Sequence, residues 1–206
     1  MVDRFKHLFW DKYDIEFHRN VIKRIKEENF PYAQEAENSI FISENGTVDF
    51  DKNKIEIICA DAANLPLKDK SIDLIFSNAV LEHIHNIHKA VYEMSRITKE
   101  GGLGIHQIDL RDHFSKSYPL RLLQYPDWLW NLMSWNRPGY TNRLRLSDFE
   151  NLFKTCDFKI KKIVYTREYE NQIVPLKMNK KFKKYSYDEL KVLSFFLIAE
   201  KIAKPF

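Results

Sequence analysis

A chain of 206 residues has room for one α/β domain or two very small ones. Hydrophobic residues at 44% and charged residues at 30% are ordinary values for a globular protein with a real core. The 33 Lys and Arg against 29 Asp and Glu leave +4, too mild a surplus to argue for nucleic acid by itself. The two cysteines, Cys59 and Cys156, sit among apolar residues and read as buried free thiols, which excludes a disulfide framework. The opening MetValAspArgPheLysHis lacks the apolar core of a signal peptide, and no apolar run is long enough to span a bilayer, so a cytoplasmic protein is expected. AsnGlyThr at 45–47 reads as a turn containing Gly46.

From Asp14 to Lys26 the apolar positions Ile15, Phe17, Val21, Ile22 and Ile25 fall on one helical face, with Asp14 as the cap and PhePro at 30–31 as the stop. Residues 32–54 are polar apart from IlePheIle at 40–42, and read mostly as loop. Strands are predicted over Ile55–Ala60 and Ile72–Ser77; neither alternates, which suits strands buried on both faces of a parallel sheet. Ala90, Val91, Met94 and Ile97 predict a helix over His88–Thr98, stopped by GlyGly at 101–102. A strand over Leu103–Asp109 completes a right-handed βαβ unit. A helix over Leu146–Thr155, opened by SerAsp at 147–148, precedes strands over Phe158–Tyr165 and Val192–Ile202, an antiparallel finish to the sheet.

Residues 58 to 84, IleCysAlaAspAlaAlaAsnLeuProLeuLysAspLysSerIleAspLeuIlePheSerAsnAlaValLeuGluHisIle, together with GlyGlyLeuGlyIleHisGlnIleAsp at 101–109, resemble the class I S-adenosylmethionine-dependent methyltransferases of the type 11 kind. The resemblance covers most of the chain and implies an α/β fold: a Rossmann-like, mostly parallel sheet with an antiparallel C-terminal strand. The expectation is a single domain over 1–206 with an aromatic-rich insertion at about 114–140. It further implies that Asp61 accepts the exocyclic amine of adenine, with the Ala62 backbone beside it. Ser77, Asn78 and Ala79 would wall the sulfonium and its methyl group, and Asp109 with Leu110 would shape the acceptor pocket. These positions fit the rule that ligands of doubly wound sheets bind beyond the carboxyl ends of the strands.

One departure is plain. The family's first strand leads into a GlyXGlyXGly turn, and none of the five glycines, at 46, 101, 102, 104 and 139, makes such a turn after a strand. GlyLeuGly at 102–104 follows a helix and precedes a strand, the wrong context for a cradle. MetValAspArgPhe resembles the end of the family's second strand, so Asp3 would hold the ribose hydroxyls. The glycine turn would then lie roughly 20 residues earlier, before residue 1. The fold is thus expected as an N-terminally truncated sheet. It would be closed by direct pairing of the strands flanking the missing one, or by a homo-oligomer or partner subunit over the exposed edge.

His83, His85 and His88 straddle a loop and a helix start and are not expected to form a metal site, which needs ligands converging at about 2 Å. His106 and Asp109 are candidate bases at the carboxyl end of a strand, with Asp112 and His113 nearby, although methyl transfer proceeds largely by alignment. The aromatic run Tyr118, Tyr125, Trp128, Trp130 and Trp135 suits an acceptor-binding insertion, an oligomer face or a lipid contact. Arg143 reads by default as a surface arginine, and LysLysPheLysLys at 180–184 as a solvated face. Two functions stay open: methyl transfer from S-adenosylmethionine to a small or medium-sized acceptor, or a non-catalytic methyltransferase-like scaffold that has lost the cofactor loop. No metal, nucleic acid or membrane span is expected; a weaker nucleic-acid reading rests on 180–184 with Tyr185 and Tyr187.

Overall fold

The computed structural model describes residues 12–42, 48–115, 117–135, 140–168 and 177–203. The chain divides into two compact units, residues 1–59 and 60–206.

In the first unit, helix α1 (Lys12–Glu27) begins before Asp14, so Asp14 is an internal residue and no cap. The polar stretch read as loop carries structure. Helix α2 (Ala33–Ser39) is followed by β1 (Ile40–Ile42), which pairs antiparallel with β2 (Val48–Phe50) in the register Ile40↔Phe50. Lys26 and Glu37 tie α1 to α2 at 2.6 Å. Residues 55–60, predicted as a strand, carry none. An isolated extended segment leaves its N–H and C=O groups unpaired, and among the described residues no neighbour supplies a ladder. Cys59 is accordingly exposed rather than buried.

The second unit holds β3 (Ile72–Asn78), α3 (Ile87–Ile97), β4 (Thr98–Asp109), α4 (Asp127–Ser134), α5 (Leu146–Thr155), β5 (Phe158–Glu168), α6 (Tyr187–Lys191) and β6 (Val192–Lys201). The sheet order is β3-β4-β6-β5. β3 pairs parallel with β4, and β6 runs antiparallel to both β4 and β5. Three strands therefore share one direction and the last opposes them, the mostly parallel Rossmann-like arrangement with an antiparallel C-terminal strand.

Burial follows the two periodicities. Along β6, Phe195, Leu197 and Ala199 are fully buried and alternate with half-buried Phe196 and Ile198. They meet Val91 and Met94 of α3 and Phe149, Leu152 and Phe153 of α5 in one core. A second core joins Leu120, Leu122, Leu123 and Trp130 to Phe182, Leu190 and Leu193. The aromatic insertion thus splits in role. Trp130 is 1% exposed and donates its indole N–H to the Thr141 carbonyl at 2.9 Å, whereas Trp128 and Trp135 stand 68% and 72% exposed.

Two expectations about the sheet are corrected. β3 is not buried on both faces: Leu74 and Phe76 are 53% and 63% exposed. Nor do flanking strands close over it; among the described residues β3 pairs with β4 alone. GlyGly at 101–102 also does not stop the helix. α3 ends at Ile97, and β4 begins with a bulge in which Ile72 pairs with Thr98 but Leu74 with Leu103. Gly101 takes φ 79° there, a backbone that side chains rarely adopt.

Gly104 answers a packing demand. A Cβ at this position would stand 2.7 Å from the Nε2 of His106, which is buried to 1%. Gly104→Ala is expected to cost about 1–3 kcal/mol, read as a lowered urea midpoint at unchanged slope. An unchanged midpoint would show that His106 has another rotamer available.

Candidate active site at the carboxyl ends of strands 3 and 4

Because β3 and β4 are parallel neighbours, Ser77, Asn78 and Ala79 emerge at the same end of the sheet as Asp109. Asn78 pairs with Gln107, and the Ala79 N–H donates to the Gln107 carbonyl at 3.0 Å. Ala79 has φ 51°, a left-handed conformation that costs a non-glycine residue about 1–2 kcal/mol. Strain of this kind collects where a backbone must be aimed.

His106, expected as a base, is turned into the core. Its Nδ1 bonds the Ser77 hydroxyl at 2.8 Å, and its ring lies 5.2 Å from Phe153. Burial holds the imidazole neutral, its pKa pushed down to about 4. The contact fastens β3 to β4 and offers no proton acceptor to solvent. It also predicts a pH dependence. The unfolded chain binds a proton near pH 6.5 that the folded chain refuses until about pH 4. Stability is therefore full above pH 6.5 and falls by about 3 kcal/mol as pH drops to 4. His106→Leu should flatten this window in urea melts at stepped pH; an equally steep loss in the variant would place the titration elsewhere.

Asp61 opens the loop that runs into β3. It is exposed, and its Oδ1 accepts the Ala63 N–H at 2.9 Å, closing a tight turn with an Asp61–Asn64 bridge; Ala62 sits at the tip of that turn. The loop is clamped to α3 by a pair that sequence reading passed over. Arg96 donates to the carbonyls of Leu65 and Leu67 at 3.0 and 2.8 Å and to Asp69 at 2.6 Å. Glu93 accepts the Leu65 N–H at 3.0 Å and binds Arg96, which holds its carboxyl down near pKa 2. The signal was available as an acid and an arginine three apart on a helix, a spacing that puts both on one face.

Beyond β4, Asp109 is gripped by Arg111 through Nε at 2.8 Å and Nη2 at 2.5 Å. Burial would raise its pKa, but these bonds prevail and hold it below the usual carboxylate range, so Asp109 is an anion and a weak base. Asp112 is 4% exposed and orders the loop by accepting the Phe114 N–H at 2.8 Å. Asp109, Arg111, Asp112 and His113 line a cavity of about 510 Å³. From the turn after β3, buried Glu82 accepts the Asp109 N–H at 3.2 Å, and its carboxyl is raised by burial. His83 contacts the Tyr140 carbonyl through Nδ1 at 2.5 Å and meets the His113 ring edge-on at 4.9 Å. Glu82 is a site residue that sequence reading missed, hidden inside the LeuGluHis stretch.

The family model described as Methyltransferase domain matches residues 7–105, a span that holds Asp61, Ala62 and Ser77–Ala79. That match covers just under half of the chain, and it makes this part similar to a methyltransferase domain. Among solved structures, it is similar to a putative methyltransferase complexed with a methyltransferase activator from Haloferax volcanii, at 12% identity and TM-score 0.45, covering 74% of this chain and 64% of that one. A methyltransferase from Methanosarcina mazei matches at 19% identity and TM-score 0.45, over 70% of this chain and 66% of its own. One from Listeria monocytogenes matches at 13% identity and TM-score 0.46, over 84% of each chain. The chain spans just under two thirds of the length of the first two.

Against S-adenosylmethionine, the cofactor that the resemblance implies, the described residues offer partners for one part. Asp61 supplies an exposed carboxylate, and Ser77 and Ala79 supply small side chains at a strand end. Gly101, Gly102 and Gly104 lie in or at the bulge of β4, so none of them forms a turn after a strand. Asp3 lies outside the described residues and outside the family match. Arg143, read as a surface arginine, is 5% exposed. It lies over Trp130 and Phe182 and bonds the Tyr125 carbonyl at 2.7 Å and the Asp127 carboxylate. In the basic run 180–184, Phe182 is buried while Lys181 and Lys184 pair with Asp127 and Asp148. His85 stacks on Tyr140 and His88 is exposed. No helix among the described residues is long and apolar enough to cross a membrane.

Proposed function

We propose that the protein is an S-adenosylmethionine-dependent methyltransferase acting on a small or medium-sized acceptor. The observation that carries this reading is the family match over 7–105, which contains the turn of Asp61 and the strand end Ser77–Ala79. In this reading the Asp61 carboxylate accepts the adenine amine, and the Ala62 backbone borders the ring. The Glu93–Arg96 clamp keeps that turn in place. Ser77, Asn78 and the strained Ala79 wall the reacting end. The cofactor supplies an electrophilic methyl group on a sulfonium. The chain's part is alignment: two reactants held in line and shielded from water gain most of the rate enhancement without an essential base. With His106 locked in the core, the residues that face an acceptor are Asp109, Arg111 and His113 around the cavity beyond β4. The aromatic segment with exposed Trp128 and Trp135 chooses the acceptor.

The reading is tested by incubating the full chain with donor labelled in the methyl carbon and a panel of hydroxyl, amine and carboxylate acceptors. Label transferred to one class, and suppressed by S-adenosylhomocysteine, supports it. Donor that binds but transfers nothing across the panel would favour a scaffold over an enzyme.

A further inference from the structure

We infer that Glu82, His83 and His113 form a binding site for one divalent transition-metal ion of the zinc type. The three come from two places: Glu82 and His83 from the turn after β3, and His113 from the irregular segment after β4. One donor atom from each lies within 4.8 Å of the others.

Two observations point independently to a ligand. Glu82 is 1% exposed; its Oε1 takes the Asp109 N–H, but its Oε2 is buried with no hydrogen-bond partner. The Nε2 of His113 is also buried and unpartnered. Folded proteins satisfy the great majority of such groups, so an orphan calls for an explanation. Two lone-pair donors left bare in one small space are what a cation resolves.

The surroundings prepare the ligands. Only a protonated Nδ1 can donate to the Tyr140 carbonyl, so the 2.5 Å contact fixes the His83 tautomer and leaves the lone pair on Nε2. A backbone carbonyl behind a ligating imidazole is the usual supporting arrangement. Asp109 Oδ2 lies 3.8 Å from His113 Nε2 and adds negative charge beside the cluster.

Two imidazoles and one carboxylate suit zinc or ferrous iron and disfavour magnesium or calcium, which prefer all-oxygen sets. Zinc bonds of about 2.0–2.2 Å put tetrahedral donors about 3.4 Å apart, so donors within 4.8 Å of one another need to close by at most about 1.4 Å. That adjustment falls on the irregular segment carrying His113. Three protein ligands leave a position open, as in catalytic rather than structural sites. His113 also lines the cavity beyond β4, so the ion would border it and could hold an oxygen of water or of an acceptor. The metal site itself does not depend on the methyl-transfer reading.

The test is titration of the chelator-stripped full chain with zinc against a chromophoric competitor, without cofactor, repeated with cobalt for its visible absorption. One equivalent is expected, with a cobalt spectrum in the four- or five-coordinate range. His113→Ala should weaken zinc at least tenfold, and Glu82→Gln likewise. His88→Ala, outside the cluster, should change nothing. Should Glu82→Gln fail to fold by circular dichroism, His113→Ala decides alone. No stoichiometric zinc, or zinc retained at full affinity in His113→Ala, would overturn the site. A loss in His88→Ala as large as that in His113→Ala would also overturn it, by moving the ion to the neighbouring exposed histidines.

Discussion

Arg145→Met is expected to cost the second unit about 3 kcal/mol or more, lowering the urea midpoint by about 1–2 M or preventing folding outright. Arg145 is fully buried, yet among the described residues no carboxylate pairs with its guanidinium directly. Its guanidinium instead spends its donors on backbone: Nη1 on the Leu110 carbonyl at 3.0 Å, and Nη2 on the carbonyls of Val192 and Leu190 at 2.6 and 3.4 Å. These three carbonyls mark the end of β4 and the junction of α6 with β6. The same residue precedes α5, where its backbone N–H meets the Asp148 carboxylate at 2.9 Å. One side chain thus closes the end of the sheet from which the site projects. Burial lowers its pKa to about 10, so it stays charged at neutral pH. Methionine fills the volume but leaves three buried carbonyls bare, at about 1–3 kcal/mol each before relaxation. Against a whole stability of about 5–15 kcal/mol, that is a large fraction. Arg145→Lys should recover only part of it, since an ammonium cannot reproduce the planar fork. A midpoint within 0.5 M of wild type in Arg145→Met, roughly 1 kcal/mol at ordinary slopes, would show that water or relaxation satisfies these carbonyls.

Asp61→Ala is expected to weaken cofactor binding by about tenfold to a hundredfold while leaving the fold intact. A hydrogen bond to a charged group contributes about 1.5–3 kcal/mol, and tenfold in affinity is about 1.4 kcal/mol. Asp61 is exposed, and its carboxylate accepts the Ala63 N–H within its own turn, so stability should move little. Asp61→Asn separates the two roles. It has one carbonyl oxygen to keep the turn or to meet the adenine amine, but not both, and should fall between wild type and alanine. Affinity unchanged in Asp61→Ala, measured by calorimetry with S-adenosylhomocysteine, would remove Asp61 from the site.

How far the sequence reached depended on the range of the interactions. α3, β3, β4, α5, β5 and β6 were legible because apolar period and flanking punctuation are local properties. Residues 55–60 have the composition of a strand, but a strand also needs a partner, and that is not a property of the segment. Arg143 and Arg145 show the same limit from the other side: arginine is surface by habit, and the carbonyls of Leu122 and Tyr125 with the Asp127 carboxylate, and those of Leu110 and Val192, make their burial tolerable. At the candidate site, Asp61 and Ser77–Ala79 are proposals that rest on motif order, while His106 stands at the same strand end with its ring turned into the core. Strand alternation sends Gly104, His106 and Ile108 into the core, a reading the sequence permitted. The cluster of Glu82, His83 and His113 escaped because thirty positions separate His83 from His113, and the parallel pairing of β3 with β4 brings their strand ends together.

We propose that this chain holds S-adenosylmethionine at the carboxyl ends of β3 and β4. Calorimetric titration of the full 206-residue protein with S-adenosylhomocysteine tests it most directly. The account predicts saturable one-to-one binding, diminished in Asp61→Ala and unaffected by His88→Ala. Absence of binding at millimolar ligand, with the protein shown folded by circular dichroism, would contradict it.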